Sequence, residues 1–139
     1  IKLAQHSAIR SESLNFVHAD VTLFPLQNAD VFLILDTLHY LPAEKQMALI
    51  KDCILHLNPG GKILIRDANT DLKDKHKSTE RTEKWSTGIG FNKANYSDLE
   101  FVSAALIEQV ANENGMQFSI LDESQRLSNL VYELKGDSI

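Results

Sequence analysis

The stretch from Val31 to Gln46, VFLILDTLHYLPAEKQ, decides the fold. DVFLILD, from Asp30 to Asp36, is a continuous apolar run between two acids, β-branched in part. A strand buried on both faces reads this way, and parallel sheets are built of such strands. The run breaks at Asp36-Thr37-Leu38-His39-Tyr40 and restarts beyond Pro42 as a helix over residues 43–57. Met47, Ile50, Ile54 and Leu57 recur there at spacings of three and four, one apolar stripe to lay against a sheet. An acid, a histidine and a tyrosine therefore stand together at the mouth of a buried strand.

Working outward, NPGG at residues 58–61 predicts a tight turn, and KILIRD at 62–67 the next strand. Strand, helix and strand with short links form a parallel crossover, right-handed by default. Upstream, IKLAQHSAIR at 1–10 reads as the last turns of a helix, and NFVHADV at 15–21 as a short strand ending in an acid. The chain opens on Ile1 in mid-pattern, as a piece of a longer polypeptide would. Downstream, residues 70–85 hold nine charged residues and almost no apolar face, so a polar insert or lid is expected over 70–96. Ser97 and Glu100 form an S-x-x-E capping box that predicts a helix with Leu99, Val102, Leu106 and Val110 inward and Gly115 at its end. MQFSILD and NLVYELKG then read as an antiparallel strand pair at a sheet edge. No internal boundary divides residues 1–139.

The 139 residues suffice for one domain with a core. A net charge of −5 speaks against nucleic acid or anionic lipid as a partner, since both need a positive field. No apolar run approaches the roughly 20 residues of a membrane span. The single cysteine, Cys53, cannot form an internal disulfide, which suits a reducing, cytoplasmic compartment.

Three segments, FVHADV at 16–21, ADVFLILDTLHYL at 29–41 and LNPGGKILIRD at 57–67, in this order and with the closing helix and hairpin, resemble the class I S-adenosylmethionine-dependent methyltransferases. The likeness covers nearly the whole chain, as the C-terminal two-thirds of such a domain. It implies an α/β fold: a Rossmann-like, mostly parallel sheet with a C-terminal antiparallel strand, here without its first two βα units. It implies S-adenosylmethionine as cofactor, with Asp20 and Val21 beside the adenine, and Asp36 and Leu38 beside the methionine part. It also implies that the loop after the PGG strand, from Arg66 and Asp67, walls the acceptor pocket. The family's glycine-rich cofactor loop and its ribose-binding acid lie in the absent units, so cofactor binding is expected to need that segment, and the chain alone is expected to be inactive. Those two strands separate residues 15–20 from 30–36 in the family's sheet. Without them the VFLILD strand keeps a bare apolar edge, and a homodimer or strand-swapped assembly is expected.

Methyl transfer from a sulfonium asks the protein for alignment and an active nucleophile. His39 is the candidate general base, because imidazole titrates near neutral pH. Capping of the following helix, or packing beside the cofactor, is the other reading of His39. Tyr40 either hydrogen-bonds the acceptor or closes the pocket wall. DTLHY lacks the Pro-Pro-aromatic signature of enzymes that methylate nucleic-acid amino groups, so a small-molecule or lipid-like acceptor fits better. The insert, with a local balance of 5 − 4 = +1 over 71–84, is a solvated face or a cover over substrate; Trp85, Phe91, Asn92 and Lys93 are its candidate contacts. His76 lacks the close ligand spacing of a zinc site, and no metal is expected. Two rivals to a methyltransferase stay open: a non-catalytic, methyltransferase-like binding module, and another nucleotide-binding α/β enzyme.

Overall fold

The computed structural model describes residues 13–68, 100–121 and 129–137. In chain order these form β1 (Ala29–Leu35), a short 3-10 turn (Leu38–Tyr40), α1 (Ala43–Leu55), β2 (Leu57–Ala68), α2 (Ala104–Glu113), β3 (Gln117–Ile120) and β4 (Asn129–Lys135). The expected helix over 1–10 and the polar insert lie outside the described residues.

The four strands lie in the order β1-β2-β4-β3. β1 runs parallel to β2, while β4 is antiparallel to both β2 and β3. β1, β2 and β3 therefore share one direction, and the reversed strand sits between β2 and β3. Parallel strands need a crossover, and α1 supplies it.

Alternation along the strands sends Phe32, Ile34, Ile63, Ile65, Tyr132 and Leu134 to one face, where they meet Leu49, Ile50 and Cys53 of α1 and Ile107, Val110 and Ala111 of α2. On the opposite face of β1, Val31, Leu33 and Leu35 are 44%, 62% and 52% exposed, and among the described residues no helix packs there. Among the described residues no helix is long and apolar enough to cross a membrane.

Four local expectations change. No separate NPGG turn precedes the strand: residues 58–61 lie inside β2, as an irregularity in its pairing with β1. Ala29 pairs with Leu57 and Val31 with Lys62, so β1 advances 31 − 29 = 2 residues while β2 advances 62 − 57 = 5. The excess is looped out, with Gly60 at φ 75°. Gly61 lets the loop close: a Cβ there would stand 2.7 Å from the Asp30 carbonyl oxygen and 2.8 Å from Leu57 Cγ.

The inward face of α1 is Gln46, Leu49, Ile50 and Cys53 rather than the expected Met47, Ile50, Ile54 and Leu57. Leu57 belongs to β2, and Met47 and Ile54 flank the core half-buried. Hydropathy passes over Gln46 because it is polar. Its amide is nevertheless satisfied inside, donating to the Leu41 carbonyl at 2.9 Å and the Glu100 carbonyl at 2.6 Å.

α2 starts at Ala104, with Ser103 as its N-cap, not at the Ser97 box. Glu100 is committed elsewhere: its carboxylate accepts a 2.9 Å hydrogen bond from Ala43 N–H, the first turn of α1. Val102 and Val110 are buried as expected, Leu106 is half-buried, and Leu99 lies outside the described residues. Gly115, at φ 69°, follows the helix in the left-handed region.

Residues 14–20 form no ladder, so the strand expected over 15–21 is absent. A strand needs a neighbour to hold its N–H and C=O groups, and none of the four described strands lies beside this segment. It ends instead in a turn, where Leu23 and Phe24 N–H both donate to the Asp20 carbonyl.

Candidate active site

Ligands of open α/β sheets bind beyond the carboxyl ends of the strands. Here the ends of β1 and β2 are joined through one buried acid. Asp67, on β2, is fully buried. Its Oδ2 accepts the Leu38 N–H at 2.8 Å, and its Oδ1 lies 2.5 Å from His39 Nδ1. His39 N–H stands a looser 3.4 Å from Oδ2. The 3-10 turn is thus suspended from Asp67, and Leu38 is driven fully into the core.

His39 is 3% exposed. Its ring is flanked by Tyr40, centroids 4.1 Å apart at 46°, and by Phe101, 6.0 Å apart at 28°. Its carbonyl accepts Glu100 N–H at 2.9 Å. A carboxylate only accepts hydrogen bonds. With Asp67 ionised, Nδ1 therefore carries the hydrogen, and Nε2 of the neutral ring keeps the lone pair. That is the tautomer a general base needs, oriented by a carboxylate behind it.

The adjacent residue of β2 grips the same loop from outside. Arg66 Nη1 lies 2.7 Å from Asp36 Oδ2, and Asp36 N–H donates to the Arg66 carbonyl at 2.8 Å. Asp36 has φ 48°, in the left-handed region that aspartate tolerates better than most residues. Thr37 completes the bend, its hydroxyl donating to the Leu35 carbonyl at 2.8 Å. Both Arg66 and Asp36 are part-exposed, so their ion pair is open to exchange with a ligand.

Six of the residues expected from the sequence therefore meet: Asp36, Leu38, His39, Tyr40, Arg66 and Asp67. Asp20 and Val21 lie apart, in the turn over α1. Thr22 N–H and its hydroxyl both donate to Asp20 Oδ1, at 2.9 and 2.8 Å. These bonds, the backbone one first, hold the exposed Asp20 carboxyl below its ordinary range; the opposite charge of Lys45 adds a smaller push. Val21, Thr22 and Leu23 line a cavity of about 380 Å³ with Lys45, Ala48, Leu49 and Asp52; neither His39 nor Asp67 lines it. Trp85, Phe91, Asn92 and Lys93 lie outside the described residues.

The sequence reading missed three contributors. Phe101 offered no signal, because its contact with His39 spans the whole insert. Glu100 was visible only as half of a capping box. Gln46, a lone amide in an apolar stripe, was the detectable one.

No family model and no curated protein matches the sequence. Solved structures do match in fold. Human N-acetylserotonin methyltransferase, solved in complex with SAM, superposes with a TM-score of 0.65 at 16% identity over 96% of this chain and 36% of its own. Magnesium protoporphyrin IX methyltransferase from Synechocystis PCC 6803, solved with bound SAH, gives 0.63 at 16% identity over 98% of this chain and 57% of its own. An O-methyltransferase family protein from Burkholderia thailandensis gives 0.62 at 21% identity over 86% and 33%. The chain spans between a third and somewhat over half of the length of these neighbours. With its parallel crossover, its reversed strand between β2 and β3 and these superpositions, the chain has the fold of a class I S-adenosylmethionine-dependent methyltransferase.

Proposed function

We propose that the chain forms the acceptor side of an S-adenosylmethionine-dependent methyltransferase that acts on a small-molecule or lipid-like acceptor. The observation that carries this reading is the buried His39–Asp67 pair at the carboxyl ends of two parallel strands. His39 Nε2 takes the proton of the acceptor's nucleophile. Asp67 holds the ring in that tautomer and stabilises the imidazolium that forms. Tyr40 and Phe101 fix the ring plane. Arg66 presents a cation at the acceptor wall, and the insert residues Trp85, Phe91, Asn92 and Lys93 contribute on the acceptor side.

The donor chemistry of the chain fits part of the cofactor. The Asp20 carboxylate and the Val21 N–H suit an adenine edge. The Asp36 carboxylate suits an ammonium, with Leu38 as apolar backing. When bound, S-adenosylmethionine supplies an electrophilic methyl group. These residues make only part of a cradle. The reading includes a glycine-rich loop from two further βα units, about 60–80 residues, and takes the 139 residues alone to be inactive. The single buried thiol suits the cytoplasm.

The rival is a binding module without catalysis. One observation favours it: the Asp20 carboxylate is already occupied by its own turn. Calorimetric titration of S-adenosylmethionine separates the two. The enzyme reading expects no heat from the 139-residue chain and saturable heat from a polypeptide extended by the two units. In that extended protein, His39→Asn should lower kcat by about 10²–10⁴-fold with cofactor affinity unchanged. No binding by the extended protein at millimolar ligand would leave the binding module.

A further inference from the structure

We propose that Gln46 is a positioning residue for His39: its buried side-chain amide locks residues 100–101 onto the loop, and through them fixes where the imidazole stands. The inference deepens the methyl-transfer reading and rests on it for the role of His39 as base.

Asp67 alone does not fix the ring. It holds the loop at its start, through the Leu38 N–H, and it holds the imidazole at one atom, Nδ1. A hydrogen bond at one atom leaves a ring free to swing within the broad angular range such bonds accept. The second constraint comes from beyond the insert. Glu100 N–H donates to the His39 carbonyl at 2.9 Å, and the Phe101 ring lies alongside the imidazole.

Gln46 is what holds that segment in place. Its Nε2 donates to the Glu100 carbonyl at 2.6 Å and to the Leu41 carbonyl at 2.9 Å. Both partners only accept, so the nitrogen of the amide stands there and both of its hydrogens are used. Glu100 is thereby bound through both of its backbone groups, the N–H by the loop and the C=O by α1. Leu41, at the far end of the loop, is joined to the same amide, and its own N–H donates to the Leu38 carbonyl at 2.8 Å. The Glu100 carboxylate also reaches Ala43 N–H, but at an exposed position where water competes. Gln46 is 1% exposed and sits on the face of α1 that carries Leu49, Ile50 and Cys53. An amide among such neighbours is costly unless its hydrogens are satisfied. An apolar side chain would fill the same stripe but could not join the loop to residue 100.

Gln46→Met keeps the length of the side chain and removes the donor. Ile50→Val, one turn further on the same buried face, controls for lost packing. Nuclear magnetic resonance of the 139-residue chain reads the geometry. Gln46→Met is expected to speed exchange of the Glu100 amide more than about tenfold relative to the core amides of β2. It is also expected to move the His39 ring-proton shifts, which the ring currents of Tyr40 and Phe101 set; Ile50→Val leaves those shifts in place. In the protein extended by two βα units, Gln46→Met should lower kcat by about 10–100-fold with S-adenosylmethionine affinity unchanged. It should cost nothing further beside His39→Asn, where a merely structural loss would add. Unmoved His39 shifts in Gln46→Met, or a kcat loss that persists in full beside His39→Asn, overturns the proposal. Altered shifts together with a fully active His39→Asn uphold the positioning and sink the base instead. If Gln46→Met does not fold, the wild-type chain decides: side-chain protons of Gln46 protected along with the Glu100 amide uphold the clasp, and exchange as fast as in an exposed glutamine overturns it.

Discussion

Removing the Asp67 carboxylate tests whether one acid holds the loop that carries His39. In Asp67→Ala the Leu38 N–H, bound at 2.8 Å, and the His39 Nδ1–H, bound at 2.5 Å, lose their acceptor in a site closed to water. A stranded buried donor costs about 1–3 kcal/mol, so two cost about 2–6 kcal/mol. The third contact, at 3.4 Å, is too long to add much. The expected loss is therefore about 4 kcal/mol, in line with the ~3–5 kcal/mol of a broken buried pair. A domain of this size has about 5–15 kcal/mol in all, so the variant sits near the edge of folding. Asp67→Asn keeps an acceptor for Leu38 but turns an NH₂ toward His39, forcing the ring into its other tautomer. It should cost less, about 1–3 kcal/mol. Urea melts of both variants, followed by circular dichroism and compared at unchanged m-value, measure these losses. An Asp67→Ala midpoint within about 1 kcal/mol of wild type would refute the reasoning. So would a double-mutant cycle with His39→Ala showing additivity, since groups in one hydrogen-bonded network couple.

Gly61→Ala should destabilise by about 1–3 kcal/mol in the same assay, because the new methyl group has backbone oxygens of Asp30 and Asn58 at 2.7 and 2.9 Å to displace. Glu100→Ala should cost about 1 kcal/mol by uncapping α1; a neutral result means that the Ala43 N–H is equally content with water. The Cys53 thiol, pushed up to about 12 by burial with a smaller contribution from Asp52, should resist a disulfide reagent at pH 8 in the native chain and react at once in denaturant. Asp20 has a lowered carboxyl pKa, so the stability of its turn is fully present above its ordinary 3.8 and is lost as pH falls through the lowered folded value. The Thr22 amide resonance should report a midpoint below 3.8 in an NMR titration, and a midpoint at or above 3.8 contradicts the Thr22 bonds.

The strands β1, β2, β3 and β4 were legible because each is a short run whose composition alone marks it. Elements whose existence depends on a distant neighbour were not. Residues 15–21 have strand composition, but a ladder belongs to two segments. The Ser97–Glu100 box has helix-start chemistry, but Glu100 serves α1. Gln46 breaks the apolar stripe of α1, yet lies on its buried face through carbonyls at Leu41 and Glu100. Within the site, residue types and strand-end positions brought Asp36, His39, Tyr40, Arg66 and Asp67 into view. The sequence did not show that Arg66 and Asp67, adjacent in the chain, hold one loop from opposite faces of the sheet, Arg66 at Asp36 and Asp67 at Leu38 and His39.

The Glu100 contacts also order events during synthesis. Pro42 stands at the N-cap of α1 and offers no side-chain oxygen to the helix. The Ala43 N–H and the Gln46 amide both find acceptors on Glu100, 57 and 54 residues further along. While a ribosome is still translating the insert, β1, α1 and β2 have all been synthesised, yet the Ala43 N–H in the first turn of the crossover helix still lacks its Glu100 acceptor. The loop carrying His39 also lacks the Glu100 N–H that later clasps its carbonyl. A nascent chain thus holds its histidine loosely until the residues beyond the insert arrive, and the site is finished from its downstream side.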